Sequence, residues 1–189
     1  MMLKEEVEKA LQTLKKGGII LYPTDTIWGI GCDACNPEAV EKVFKLKGRD
    51  AGKSMIILLD SENKLPSYVR EVPDVAYDLI EFAEHPLTII YSGAKNLAAN
   101  TIAIDGTVGI RITRDDFSKQ LIQRFKKPIV STSANISNQP SPANFSEISE
   151  EIINGVDLVV DWKRDDLSPK KPSTIMKLEP DGRFVFLRR

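Results

Sequence analysis

Long apolar runs are missing from this sequence, and so are histidine, with one residue, and cysteine, with two. Without a stretch of about 18 apolar residues no membrane-spanning helix is expected. The opening MMLKEEVEKALQTLKKGG is broken by charges every few residues, so no secretory signal is expected and a cytoplasmic location is. Two cysteines in that compartment do not make a disulfide framework. Cys32 and Cys35 have C-x-x-C spacing, which opens a redox or metal reading. A metal site needs further thiols or histidines, and His85 lies far off in the chain. Both cysteines are therefore expected to be structural, and no protein-held metal is expected. Charge of one sign is not in excess either: 26 basic and 27 acidic residues leave −1. The whole-chain balance demands neither nucleic acid nor a membrane as partner, although it says nothing about local patches.

What is present is enough apolar residue, 42% of 189, for a sizeable core. Leu3, Val7, Leu11 and Leu14 recur at helical spacing and predict a helix over 3–16, stopped by Gly17-Gly18. Asn36-Pro37 predicts a helix start, and Gly48 its end. Further helices are expected at 74–84 and 116–125. Another is expected after Ser146 as cap, with Ser149 and Glu150 in its first turn. Short strands are expected at IILY, IWGIGC, MIILL, LTIIY, TVGIRI, after Pro128, and at VDLVVD, STIMKL and RFVFLR. The segment SGAKNLAANTIAIDG reads as turns with room for a short hairpin. Helices do not separate all the strands, so the reading is one α+β domain over 1–189 with a mixed sheet.

Four stretches carry chemistry. FKLKGRDAGKS gathers Lys45, Lys47, Arg49 and Lys53 beside a core strand. It is either a solvated loop or a site for phosphate or carboxylate. It is no P-loop: Gly48 precedes Gly52 by four residues rather than five, a helix comes before it and a strand after. PTDT sets Thr24, Asp25 and Thr26 between apolar strands, as a capped turn or a small polar pocket. STSANIS puts Ser131, Thr132, Ser133 and Asn135 at a strand end, where ligands of sheet proteins collect; no nucleophile elbow surrounds Ser133. PKKPSTI offers Ser173 and Thr174. Arg111 lies mid-strand in VGIRI and must find an anion or water, and Arg188 has a similar place in the last strand.

YPTDTIWGIGCDA followed by VFKLKGRDAGKSMIIL resembles the opening of the YrdC/Sua5 family, the threonylcarbamoyl-adenylate synthases. HPLT, VGIRI, STSANIS with PSPANF, and KPSTI resemble the family's later motifs in the same order. The resemblance covers nearly the whole chain and is to the single-domain bacterial type. It implies a YrdC/RibB-like fold, an open twisted mixed sheet flanked by helices around a concave cationic cleft. It implies a reaction of L-threonine, bicarbonate and ATP that yields threonylcarbamoyl-AMP and pyrophosphate. A partner transferase complex then modifies adenosine 37 of tRNA, and Mg2+ arrives with ATP.

By that resemblance Lys47, Arg49, Lys53 and Arg111 are catalytic. Thr24, Thr26, Arg49, Thr88 and Arg111 hold threonine. Lys47, Lys53, Ser133, Asn135, Ser141, Ser173, Thr174 and Arg188 hold ATP. The chain departs from the family pattern at EHPLT, where His85 replaces a common glycine, at RDAGKS, and at Lys171 before PST. Two other readings stay open on the same residues. One is a module that binds duplex RNA or tRNA through the cationic surface without synthase activity. The other is a carbamoyl-phosphate-handling domain like those of hydrogenase maturation proteins, which would be expected to bring zinc-finger and kinase-like regions. Lys45 is expected to face solvent, because residues two apart at a helix end do not share a face.

Overall fold

Apolar residues alternate along short segments and then recur every three to four, which builds strands joined by helices. The computed structural model describes residues 2–49, 55–168 and 170–189. Its helices are α1 (Met2–Lys15), α2 (Pro37–Lys47), α3 (Leu65–Tyr68), α4 (Val75–Glu81), α5 (Asp116–Phe125) and α6 (Glu150–Gly155). Its strands are β1 (Ile20–Tyr22), β2 (Gly29–Gly31), β3 (Ile56–Leu59), β4 (Leu87–Tyr91), β5 (Val108–Ile112), β6 (Ile129–Ser133), β7 (Leu158–Val159), β8 (Thr174–Leu178) and β9 (Phe184–Arg188).

The strands form one sheet in the order β7-β1-β2-β6-β3-β5-β4-β8-β9. Pairs β1/β7, β3/β5 and β4/β8 are parallel and the rest antiparallel, so the sheet is mixed as expected. Alternation sorts side chains onto two cores. Ile20, Tyr22, Leu58 and Ile129 pack with Val7, Leu11 and Leu14 of α1 and Phe117 and Leu121 of α5. Leu21, Ile30, Ile57, Leu59 and Val130 pack with Val40, Val43 and Phe44 of α2, Ala76 of α4 and Ile152 of α6. Each fully buried aliphatic side chain stabilises the fold by roughly 1.5–3 kcal/mol relative to exposure.

Helix α2 starts and stops where its sequence says. The Asn36 side chain accepts from the Glu38 and Ala39 amides at 3.0 and 3.2 Å. Gly48 ends the helix with φ 56, its N–H donating to Lys45 O, a left-handed turn that glycine makes without a Cβ clash. Other expectations are corrected. Ser149, not Ser146, caps α6 through Ile152 N–H, while Asn144 caps a preceding 3-10 turn, Phe145–Glu147. VDLVVD holds a strand of two residues only, and residues 92–107 form turns around one 3-10 turn, Ala99–Thr101, with no hairpin. Cys32 lies in the core and Cys35 is half-buried. Burial, reinforced by Asp33, pushes the Cys35 thiol up to about 11 and the Cys32 thiol up as well, so the reactive thiolate form is disfavoured. Among the described residues no helix is long and apolar enough to cross a membrane.

Gly31 of β2 sits tightly between β1 and β6. A Cβ there would meet the Tyr22 ring and the Val130 carbonyl oxygen at 2.7 Å each. Tyr22 cannot yield, because it is fully buried and its hydroxyl donates to the same Val130 oxygen at 3.2 Å. Gly31→Ala should therefore destabilise the protein by about 1–3 kcal/mol in urea unfolding. Gly29→Ala, whose Cβ would meet only contacts of 3.4 Å, should cost clearly less in the same measurement.

Candidate active site

At one end of the sheet β2, β5, β6 and β8 open onto a cavity of about 240 Å³. Its walls carry three guanidinium groups, Arg49, Arg111 and Arg188. Thr26, Ser131, Ser133, Ser141 and Ser173 line it with polar side chains, Thr132 adds to the lining, and Trp28, Met55, Ile56 and Ile175 supply apolar wall. Burial lowers the Arg49 and Arg188 values from the ordinary one, with Arg111 adding to the effect at Arg188. Both stay charged at any working pH.

Arg111 comes from the middle of β5, opposite Leu58 of β3 and Thr88 of β4. Strand alternation turns it away from the face of Ile110, and it is 4% exposed. Its Nη2 lies 3.2 Å from Asp25 Oδ1, and Asp25 is anchored through Oδ2 by the Arg114 amide at 3.3 Å. The pair is matched in charge but lacks hydrogen-bond geometry. Among the described residues Arg111 Nε and Nη2 and Asp25 Oδ1 have no hydrogen-bond partner. Buried donors of a charged group left in this state are costly, and a carboxylate or phosphate in the cavity would satisfy them in bidentate fashion.

The wall beside Arg111 is held by a chain of hydroxyls and carbonyls. Thr88 Oγ1 and Ser173 Oγ lie 2.8 Å apart, both buried. Arg188 donates through Nε and Nη2 to Ser173 O at 3.0 and 2.8 Å. Near the floor, Thr24 Oγ1 accepts from the Thr26 amide at 2.9 Å and donates to Ile27 O at 2.8 Å, fixing the PTDT turn that presents Thr26.

Lys47 stands behind the cavity wall. It is 1% exposed and does not line the cavity. Its ammonium donates to the carbonyl oxygens of Ser133 and Asn135, both at 2.5 Å, and its own carbonyl accepts from the Ser137 amide at 2.8 Å. It ties the end of α2 to the loop beyond β6. Burial, and then repulsion from Arg49, holds it down at about 8.

The structure thus brings Thr26, Arg49, Arg111, Ser133, Ser141, Ser173 and Arg188 to one cavity. Thr24, Thr88 and Asn135 stand behind its walls; Asn135 spends its amide on Ile136 O and Gln139 O at 2.8 Å. Thr174 points to the other face of β8, into a separate groove, because Ser173 and Ile175 take the cavity side. Lys53 lies outside the described residues. Lys45 is exposed and pairs with Glu41 at 3.8 Å. Ser131 and Thr132, expected at a ligand-collecting strand end, do line the cavity; the sequence reading does not single out Trp28, Met55 and Ile175, and the period-two continuation of β8 from Ser173 to Ile175 is the available signal for the last. No cluster of three or more His, Cys, Asp or Glu that could hold a metal ion occurs among the described residues.

The low value at Lys47 has a definite consequence for stability. Between about 8 and the ordinary lysine value of 10.5 the unfolded chain binds more protons than the folded one, so stability from this residue rises with pH through that window. Against a Lys47→Met variant, the wild type should gain up to roughly 3 kcal/mol in urea unfolding between those limits, and nothing below pH 7.

With the geometry in place, relatives can be compared. The Sua5_yciO_yrdC family model, described as telomere recombination, matches residues 12–189. The threonylcarbamoyl-AMP synthase of Pseudoalteromonas translucida is 32% identical over 158 residues, 82% of this chain and 84% of that one. The human threonylcarbamoyl-AMP synthase is 31% identical over 189 residues, 97% of this chain and 67% of that one. The crystal structure of Pyrococcus abyssi Sua5 complexed with L-threonine matches with TM-score 0.84 at 27% identity. It covers 96% of this chain and 53% of that chain, so this chain spans about half of that longer protein. With the family model spanning residues 12–189 and relatives above 30% identity covered over two thirds or more, the chain belongs to the YrdC/Sua5 family.

Proposed function

We propose that this chain makes L-threonylcarbamoyl-AMP and pyrophosphate from L-threonine, bicarbonate and ATP in the cavity of Arg49, Arg111 and Arg188, for the threonylcarbamoyl modification of adenosine 37 in tRNA. The observation that carries this reading is Arg111, a buried guanidinium whose Nε and Nη2 have no hydrogen-bond partner among the described residues, in a cavity that two further arginines share. Such a site takes anions, and this reaction uses three.

The threonine nitrogen attacks bicarbonate carbon, and loss of water leaves a carbamate. The carbamate oxygen attacks the α-phosphorus, and the bond to the β-phosphate oxygen breaks to release pyrophosphate. Bringing carboxylate, carbamate and triphosphate together is opposed by their charges. Arg111 receives the threonine carboxylate while Thr26 and Ser173 present hydroxyls nearby. Arg49 and Arg188 face the phosphates, and Ser133 and Ser141 orient the nucleotide. Preorganised cations offset the repulsion and stabilise charge as it develops, and holding the reactants in register supplies the rest. No side-chain nucleophile is required. Mg2+ enters with ATP as part of the substrate, and the product passes to a transferase complex. Lys53 is assigned to the phosphates on the family resemblance alone.

Pyrophosphate release should require ATP, threonine and bicarbonate together; equal release without threonine, or salt-sensitive duplex RNA affinity untouched by threonine, would overturn the assignment. Arg49→Lys keeps the charge but loses the planar fork and should lower kcat/KM by about 10- to 100-fold, the effect of one charge-assisted hydrogen bond of roughly 1.5–3 kcal/mol. Lys45→Ala should change it less than about twofold. Equal sensitivity at both positions would mean a diffuse positive field instead of a shaped site.

A further inference from the structure

The loop from β6 to α6 is mostly polar, and Phe145 is its one aromatic residue. Two parts of this loop are stitched to themselves. In the first, the Asn135 side chain donates to Ile136 O and Gln139 O, and Lys47 donates to Asn135 O. In the second, the Glu147 carboxylate accepts from the Ala143 amide at 2.8 Å, and the Asn144 side chain accepts from the Ser146 amide at 3.0 Å. Only Pro140, Ser141 and Pro142 lie between the two parts. Proline fixes φ at two of those three positions. The place of Ser141 at the cavity therefore follows from where the two stitched parts are held. Lys47 holds the first, and the second needs a hold of its own.

The Phe145 ring supplies it. Its centroid lies 4.9 Å from that of Trp28, with the planes at 52°, a tilted contact of the kind aromatic pairs favour. Trp28 is 5% exposed and lines the same cavity. The Arg164 guanidinium lies over the Phe145 ring, 5.0 Å from its centroid, where the ring face attracts a cation. Two backbone carbonyls fix that guanidinium: Nε donates to Val160 O at 3.1 Å and Nη2 to Val159 O at 2.8 Å. Phe145 thus ties the far end of the Ser141 span to the cavity wall and to the segment after β7. We propose that Phe145 is a positioning residue for the nucleotide: held by Trp28 and Arg164, it sets where Ser141 meets ATP and does not itself line the cavity. The inference rests on the reading above, which gives the nucleotide to Ser133 and Ser141 and threonine to Arg111 and Thr26. Those threonine partners are fixed elsewhere, by Asp25 and Thr24, so loss of the ring weakens nucleotide binding and spares threonine.

The test is KM for ATP and for threonine in pyrophosphate release, with Kd for ATP measured by calorimetry in the absence of threonine. Phe145→Leu removes the ring and should raise KM and Kd for ATP about 3- to 10-fold, with KM for threonine changed less than about twofold. Phe145→Tyr keeps the ring and should keep the wild-type values. Arg164→Gln removes the cation and should raise Kd for ATP about 2- to 5-fold. A folded Phe145→Leu protein with unchanged ATP affinity overturns the proposal, as do equal rises in the two KM values or a Phe145→Tyr protein as impaired as Phe145→Leu. If Phe145→Leu does not fold, an unchanged Kd in Arg164→Gln overturns it instead. A wild type that binds ATP but releases no pyrophosphate overturns the synthase reading, and the ratio of ATP affinities then decides the role of Phe145 by itself.

Discussion

A buried ammonium group needs acceptors, and the arrangement of this molecule around its cavity follows from how one is met. Lys47 loses almost all contact with water, a loss that costs several kcal/mol unless it is offset. Two carbonyl oxygens, of Ser133 at the end of β6 and of Asn135 in the loop beyond it, offset part of it. For both to point at one nitrogen, the loop must fold back over the end of α2, and the Ser137–Lys47 backbone bond closes the same stitch from the other side. Arg49 follows immediately after the Gly48 stop, so the same contact sets where its guanidinium enters the cavity. Ser133 ends the strand from which that loop springs, and Ser141 lies on the loop that Lys47 pins. Lys47, which the family resemblance assigns to ATP, holds two walls of the site in register in this structure.

Buried charge explains the other side of the cavity too. Arg111 does not stand in an uncompensated apolar strand. Asp25 offsets its charge, and the amide of Arg114 fixes Asp25. The imperfect geometry of the pair leaves the directional part of Arg111's bonding open. A carboxylate arriving in the cavity therefore completes a site already balanced in charge, and part of the desolvation cost of Arg111 has been met within the fold.

The elements were legible because their signals are local. Asn36 and Gly48 bracket α2, and LTIIY, VGIRI and DFSKQLIQRF coincide with β4, β5 and α5. The errors fall where local signals compete: two serines three apart could each cap α6, and a run of valines supported a longer β7 than its single pairing with β1 sustains. At the site, residue type was a good guide to which side chains carry polar chemistry and a poor guide to which way they face. Thr174 and Ser173 are chemically near-equivalent in sequence, yet strand alternation sends one into the cavity and the other to the far face. Thr24, Thr88 and Lys47 serve as supports because of partners at Ile27, Ser173 and Ser133. Two of those partners are more than eighty residues away, and such pairings leave no periodic trace.

The strand order has a kinetic side. Most neighbours in the sheet, though not β1/β2, β4/β5 or β8/β9, are apart in the chain: β6 inserts between β2 and β3, and β1 finds β7 nearly 140 residues later. Each such closure must be made before its contacts reward it. The cavity draws on residues from Thr26 to Arg188, so no early folding nucleus contains it. During refolding, collapse and helix formation in α1 and α5 can run ahead while the anion site does not yet exist. A site assembled from residues this far apart in the chain is complete only when the sheet is, so a ligand there would hold the fold more than guide it.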